Sequence, residues 1–190
     1  MDYGLGLLKN EITVYDYFKK NCEVNRVIQK PLFYDEQYFT FVIYEYVDLP
    51  TLDEVAKNES TTQESLKFIV KQLIQILDKL YAANMVYRDL KLDNIFVRSD
   101  YSIVLIDFMF TVSSNKKLGL LELDLKKGSS LRILKNMGVI SQKKRYHWDD
   151  AYGLKVLLKD LNQSSKYELN KVIDETSNRV GRLEYYLDHT

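Results

Sequence analysis

One continuous segment constrains the fold of this chain more than any other: a long amphipathic helix that leads into a polar loop and two short apolar strands. Apolar residues recur at steps of three and four between residues 66 and 81, which predicts a helix with one buried face that ends near Ala83. The preceding Thr61-Thr62-Gln63-Glu64 has the form of a capping box, so the helix is expected to begin there. Such a helix fixes the position at which the following loop begins.

The polar loop places Asp89 and Asn94 five residues apart, and Asp107 follows the second strand. Residues 94–97 and 102–106 are apolar runs separated by turn-forming residues, which predicts a β-hairpin. An Asp and an Asn at this spacing are, by themselves, routine turn or cap residues. Beside a hairpin their backbone is rigid, however, and a metal site needs that rigidity around each ligand.

The sequence Tyr-Arg-Asp-Leu-Lys-Leu-Asp-Asn at residues 87–94, with Asp-Phe-Met at residues 107–109, resembles two motifs of the protein-kinase family. These are the catalytic loop H-R-D-L-x-x-x-N and the metal-binding D-F-G. The resemblance implies that Asp89 is the catalytic base and that Asn94 and Asp107 hold Mg²⁺. It also implies that the cofactors are ATP and Mg²⁺.

Three other residues of these motifs refine the resemblance. Lys91 is similar to the lysine that Ser/Thr kinases direct at the transferring phosphate, which implies a hydroxyl acceptor, first of all Ser or Thr of a protein. Tyr87 replaces the family's histidine, and we expect its ring to fill the same apolar space while its hydroxyl finds a partner. Met109 replaces the glycine of D-F-G, which should restrict flipping of the motif without removing Mg²⁺ binding.

Upstream, residues 39–47 are β-branched and aromatic, which predicts a buried strand. This strand resembles the one that runs into the kinase hinge. The resemblance implies that Glu45 and Val47 offer backbone groups to adenine, with Tyr44 at the gatekeeper position and Phe96 on the floor of the pocket. An ordinary sheet strand remains the alternative.

Residues 8–20 have the spacing of a second amphipathic helix. Glu11 in it resembles the glutamate of the kinase αC helix, whose partner in the family is a lysine on a preceding strand. Only ten residues precede Glu11 here, and neither that lysine nor a Gly-rich loop is among them. We interpret Gly4-Leu5-Gly6 as a flexible start and Lys9 as a solvated residue of the first helical turn.

Three hypotheses follow from the missing lysine. The chain is a minimal kinase with an improvised nucleotide roof, a fragment or an enzyme completed by a protein partner, or a pseudokinase that acts as a binding module. A chain without the A-P-E peptide anchor also resembles lipopolysaccharide-core and other small-molecule kinases, and no such triplet occurs here after Met109. A glycolipid or sugar acceptor is therefore the enzymatic alternative to a protein.

The remaining segments are expected to be mainly helical. Thr51-Leu52-Asp53-Glu54 is a second capping-box candidate that opens a short helix to about Lys57. Residues 118–135 and 167–186 also have helical spacing. Asp150 resembles the buried aspartate of the kinase αF helix that steadies the catalytic loop, although an aspartate there could equally cap the helix.

Composition is consistent with one catalytic domain. The chain has 190 residues, 46% of them hydrophobic, and a net charge of +0, so no nucleic-acid partner is indicated. Cys22 is the only cysteine, and no apolar run is long enough to cross a membrane, which favours a cytoplasmic protein. We expect an α+β, protein-kinase-like bilobal fold, with a reduced N-lobe at residues 1–47 and a helical C-lobe at residues 48–190.

Overall fold

A computed structural model describes residues 3–19, 26–35, 37–38, 41–113, 116–120 and 150–165. The helices are α1 (Tyr3–Phe18), α2 (Leu52–Lys57), α3 (Gln63–Ala82) and α4 (Asp150–Ser164). The strands are β1 (Pro31–Tyr34), β2 (Val42–Tyr44), β3 (Met85–Val86), β4 (Ile95–Val97), β5 (Ile103–Leu105) and β6 (Val112–Ser113). This mixture of helices and small antiparallel sheets is an α+β fold, as expected.

Helix α1 begins five residues earlier than its apolar spacing predicts. It starts at Tyr3, so Gly4 and Gly6 are helical and the interpretation of this segment as a flexible start is wrong. The apolar residues Ile12, Val14 and Phe18 are buried, and their contacts hold the helix despite the poor helix propensity of glycine.

The sheet formed by β1 and β2 is antiparallel and pairs Tyr34 with Val42. The prediction of one buried strand across residues 39–47 is wrong in two respects. Among the described residues of that range, strand β2 covers three, and Ile43 at its centre is 52% exposed. Apolar composition suggested burial, but four aromatic and aliphatic side chains in and beside this small sheet are exposed: Leu32, Phe33, Phe41 and Ile43.

Helices α2 and α3 begin at threonine caps. Thr51 and Glu54 form the predicted capping box of α2, with each side chain bonded to the other's backbone N–H. The cap of α3 is Thr62, whose hydroxyl accepts from the backbone N–H of Ser65, so the box predicted between Thr61 and Glu64 is wrong by one residue. Thr61 instead donates its hydroxyl to the carbonyl of Val55 and joins the two helices.

The predicted hairpin is present as β4 and β5, with Phe96 opposite Val104. The segment before β1 contacts the far side of β5, where the N–H of Leu105 donates to the carbonyl of Val27 over 2.7 Å. Strand β3, directly after α3, pairs with β6. The polar loop therefore lies between two paired strands, β3 and β4, and both of its ends are fixed.

One hydrophobic core connects α3, the hairpin and α4. The buried face of α3 is the predicted one and includes Leu66, Leu73 and Leu80. On α4 the buried leucines are Leu154, Leu157, Leu158 and Leu161. Each fully buried leucine contributes roughly 2 kcal/mol of transfer free energy. Gly153 permits close packing, since a Cβ there would lie 3.1 Å from the Cβ of Leu90 in the polar loop.

None of the helices in these ranges has both the length and the apolar character that a membrane span needs. The helices predicted at residues 118–135 and 167–186 lie almost wholly outside the described residues, except that Lys116–Leu118 forms a short 3₁₀ helix. The single cysteine, Cys22, also lies outside them.

Candidate active site

The first residue of α4, Asp150, holds the polar loop through two hydrogen bonds. Asp150 is completely buried, and its two carboxylate oxygens accept from the backbone N–H groups of Tyr87, at 2.8 Å, and Arg88, at 2.7 Å. Arg88 has a φ of +74°, a left-handed conformation that costs energy for a residue with a side chain. The two charge-assisted bonds stabilise that conformation. The predicted link between Asp150 and the catalytic loop is confirmed.

Tyr87 joins this loop to the second polar motif. Its ring packs edge-to-face on Phe108, with 4.9 Å between the ring centroids. Its hydroxyl donates to the carbonyl of Ile106 and accepts from Nδ2 of Asn94 over 3.2 Å. Burial, more than the negative charges of Asp89 and Asp107, raises the pKa of Tyr87, so the hydroxyl stays protonated and can donate. The ring fills the apolar space and the hydroxyl has partners, as expected.

Asp89, Asn94 and Lys91 form a compact hydrogen-bonded group. Nδ2 of Asn94 lies 2.7 Å from Oδ2 of Asp89, and Nζ of Lys91 lies 2.9 Å from the same oxygen. Nδ2 of Asn94 also contacts the backbone carbonyl of Asp89, at 3.1 Å. Asp89 and Asn94 are buried, whereas the side chain of Lys91 is 40% exposed. The two donors orient the Asp89 carboxylate, and Lys91 faces the solvent side of the group.

Asp107 lies at the end of the hairpin in a left-handed conformation, with a φ of +61°. Its Oδ1 is buried and has no hydrogen-bond partner among the described residues. Burial is the main cause of its raised pKa, followed by the negative charge of Asp89, while Lys91 and the N–H of Met109 oppose the shift. A buried carboxylate oxygen that lacks a donor is suited to a cation.

The residues around Asp107 fit a magnesium ion. Mg²⁺ binds hard oxygen ligands and commonly takes only one or two protein side chains, completed by water and phosphate oxygens. Asp107 supplies a carboxylate, and the adjacent Asn94 supplies an amide that directs its nitrogen into the loop. No cluster of three or more His, Cys, Asp or Glu side chains occurs in the described parts of the chain. Asp107 and Asn94 are therefore the two side chains that we match to this ion.

Glu11 projects from α1 into the same region and is only 5% exposed. Its carboxylate accepts from the Tyr44 hydroxyl and from the N–H groups of Phe108 and Met109, yet its Oε2 has no partner. Burial, then the charge of Asp107, raises the pKa of Glu11 to about 8, despite those three bonds.

No basic side chain in the described ranges pairs with Glu11. Lys9 is not a solvated first-turn residue, as its sequence position suggested, but lies well inside α1 and is partly buried. Its Nζ would be 3.9 Å from a Cβ at Gly119, on a different part of the chain. Lys9 therefore does not take the place of the lysine that protein kinases pair with this glutamate.

Asn10 is a site residue that sequence reasoning missed. It is completely buried, and its Nδ2 donates to the carbonyl of Met109 at 3.0 Å and to that of Thr111 at 3.3 Å. Its sequence signal was a polar residue among the apolar positions of α1. When it is not known which face of the helix is buried, such a residue cannot be told from a solvent-exposed one.

The predicted hinge residues lie just beyond β2. The N–H of Glu45 donates to the carbonyl of Lys30 at 3.0 Å, and its own carbonyl accepts from the Gln29 side chain at 3.2 Å. Val47 is half-buried, and Phe96 is half-buried on β4, opposite Thr51. Glu45 is thus bonded within the protein, so an adenine would share its carbonyl with Gln29.

The family model described as "Protein kinase domain" matches residues 8–123, which is more than half of the chain. The match covers most of the helix that carries Glu11, the predicted hinge, the polar loop and the Asp-Phe-Met motif. It ends at residue 123, ahead of α4.

Three curated proteins illustrate the similarity. "Probable serine/threonine-protein kinase mkcE" of Dictyostelium discoideum is 30% identical over 103 residues, which are 54% of this chain and 14% of that protein. "Serine/threonine-protein kinase shk2" of Schizosaccharomyces pombe is 26% identical over 104 residues, 55% of this chain and 17% of that protein. "Serine/threonine-protein kinase pak-2" of Caenorhabditis elegans is 27% identical over 104 residues, 55% and 19% respectively. The chain spans less than a fifth of each relative.

Proposed function

Because the chain belongs to the protein kinase family, we propose that it transfers the γ-phosphoryl group of ATP to a hydroxyl acceptor, most simply Ser or Thr of a protein. The observation that carries this proposal is the hydrogen-bonded group of Asp89, Asn94 and Lys91, held by the buried Asp150. Phosphoryl transfer depends mainly on positioning and electrostatics, and this group provides both.

In the proposed reaction, Asp89 orients the acceptor hydroxyl and takes its proton. Its Oδ2 is occupied by Asn94 and Lys91, so Oδ1 is the oxygen directed to the acceptor. Asn94 and Asp107 hold Mg²⁺, which when bound neutralises charge on the β- and γ-phosphates. Lys91, partly exposed, provides a positive charge beside the transferring group.

The proposed nucleotide site lies between two unequal lobes. We assign residues 1–47 to a reduced N-lobe, whose described part contains α1, β1 and β2, and residues 48–190 to a C-lobe, whose described part contains α2, α3, the hairpin and α4. Adenine lies against the backbone of Glu45 and Val47 and above Phe96. Glu11 lies near Asp107, on the side of the site where the phosphates would bind. The lone cysteine is in keeping with a cytoplasmic location.

A protein acceptor is supported by Lys91 and by the names of the relatives, which are serine/threonine-protein kinases. A glycolipid or sugar acceptor is the alternative, favoured by the lack of an A-P-E triplet after Met109. A pseudokinase that binds a partner is the second alternative, favoured by the absence of a cation paired with Glu11 in the described residues.

Two measurements separate these functions. The melting temperature should rise with Mg²⁺-ATP in the wild type and in Asp78→Asn, an exposed control on α3, but not in Asp107→Ala. If the wild type shows no shift with Mg²⁺-ATP and does shift with a protein partner, the binding module replaces the enzyme. Label from γ-labelled ATP should appear in protein, and label found only in a lipid or sugar fraction would select the small-molecule alternative.

A further inference from the structure

A single buried side chain of α1 holds the backbone that follows Asp107. Asn10 is completely buried, and its Nδ2 lies 3.0 Å from the carbonyl oxygen of Met109 and 3.3 Å from that of Thr111. A side-chain amide nitrogen carries two protons and only donates. Both protons of Asn10 therefore go to carbonyls of one short turn, residues 108–111.

This turn connects Asp107, at the end of the hairpin, to strand β6. A backbone bond closes it, from the N–H of Thr111 to the carbonyl of Phe108 at 3.0 Å. Asp107 has a φ of +61°, a conformation that costs energy for a residue with a side chain and persists only when the surrounding structure holds it. The direction of the Asp107 side chain therefore depends on how firmly the backbone on either side of it is held.

Two different parts of the fold hold the two sides of Asp107. On its N-terminal side, the N–H of Ile106 donates to the carbonyl of Asn94 at 3.1 Å, and the hydroxyl of Tyr87 donates to the carbonyl of Ile106. On its C-terminal side, the two carbonyls of the turn accept from Asn10. The polar loop thus fixes one side of Asp107, and helix α1 fixes the other.

We propose that Asn10 is a positioning residue for Asp107, and that it holds the turn so that the carboxylate of Asp107 is directed at the metal ion. This inference rests on the proposed role of Asp107 as a metal ligand. Asn10 does not touch the ion and acts through the backbone of Met109 and Thr111. Loss of a group that orients a metal ligand typically lowers metal affinity by roughly ten- to a hundred-fold. Since linkage is reciprocal, a bound ion also stabilises α1 in its position.

The test separates this role from a general contribution to stability. Asn10→Ala is compared with Val14→Ala, which truncates a completely buried core residue of the same helix and so also destabilises the protein. Isothermal titration calorimetry gives the Kd of ADP with Mn²⁺ and with a chelator, at a temperature where all the proteins are folded. In Asn10→Ala the Kd of Mn²⁺-ADP should rise by at least about tenfold, with the Kd of metal-free ADP unchanged. Val14→Ala should bind both as the wild type does.

The outcomes separate the two proposals. If Asn10→Ala binds Mn²⁺-ADP as the wild type does, or no more weakly than Val14→Ala, the role of Asn10 is overturned while that of Asp107 stands. If Mn²⁺ does not tighten ADP binding by the wild type, the metal role of Asp107 is overturned and the role of Asn10 with it.

Should Asn10→Ala fail to fold, hydrogen exchange of the wild type decides. Mn²⁺-ADP should slow exchange of the Thr111 N–H and of the helical N–H groups of α1 more than metal-free ADP does, because the ion and the helix stabilise each other through the turn. Equal exchange with and without Mn²⁺ would overturn the proposal.

Discussion

The side chain of Asn10 donates a 3.0 Å hydrogen bond to the backbone carbonyl of Met109, which ties helix α1 to the residue that follows the Asp107-Phe108 pair. The N–H of Met109 bonds to Glu11, the next residue of the same helix. Both backbone groups of Met109 are therefore held by α1. The position of helix α1 is therefore coupled to the backbone that directly follows Asp107 and Phe108.

Asn10→Ala should destabilise the protein by about 1–3 kcal/mol, because it leaves the carbonyls of Met109 and Thr111 buried without a donor. Urea unfolding measures the loss. Gln75→Ala, an exposed change on α3, should alter the free energy of unfolding by less than about 0.5 kcal/mol. Equal effects of the two substitutions would show that the Asn10 bonds contribute nothing specific.

Asp150→Asn should both destabilise the fold and slow phosphoryl transfer. An amide is neutral and has one acceptor oxygen, so one of the N–H groups of Tyr87 and Arg88 loses its acceptor and the other keeps a neutral one, at a cost of roughly 1.5–3 kcal/mol. Urea unfolding and a transfer assay at a temperature where both proteins are folded measure the two effects. Asp160→Asn, exposed on the same helix, is the matched control; wild-type transfer by Asp150→Asn would contradict a positioning role.

Lys91→Met should separate catalysis from stability. The Lys91–Asp89 ion pair is partly solvent-exposed, so its loss should cost at most about 1 kcal/mol of stability. Removal of a positive charge beside the transferring phosphate should lower kcat by about a hundred- to a thousand-fold. Steady-state kinetics with ATP tests this, and a change confined to KM would instead place Lys91 in simple substrate binding.

The stability of the metal-free protein should depend on Glu11 and pH. The pKa of Glu11 rises from 4.5 to about 8 on folding, so the folded state binds the proton more tightly than the unfolded chain. Its contribution is therefore fully present below about pH 4.5 and is lost as the pH rises to about 8, by several kcal/mol in total.

Urea unfolding of wild type and Glu11→Gln between pH 5 and 9, with a chelator present, isolates this effect. The difference in unfolding free energy should shift steadily in favour of the glutamine variant as the pH rises. A pH-independent difference would show that Glu11 titrates normally in the folded protein.

Local sequence rules predicted the elements whose determinants lie close together in the chain. The capping box of Thr51 and Glu54 involves two residues of one helical turn, and the buried stripe of α3 follows from its own period. The role of Asp150 depended on similarity to a family motif, because its partners Tyr87 and Arg88 are more than sixty residues away.

The features that sequence reasoning missed depend on tertiary contacts. Gly4 and Gly6 oppose a helix locally, yet α1 extends through them. β2 is shorter and more exposed than its composition suggests, because strand propensity reflects packing and this sheet has two strands. The bonds of Asn10 to Met109 and Thr111 link residues about a hundred positions apart, and no local pattern reports them.

Transfer of labelled γ-phosphate from Mg²⁺-ATP to a protein acceptor is the most direct test of the central claim, with the wild type compared with Asp89→Asn and the control Asp78→Asn. The claim predicts equal transfer by the wild type and the control. Loss of the base at Asp89 should lower transfer by about a hundred- to ten-thousand-fold. Transfer that is absent in the folded wild type, or unchanged in Asp89→Asn, would contradict it.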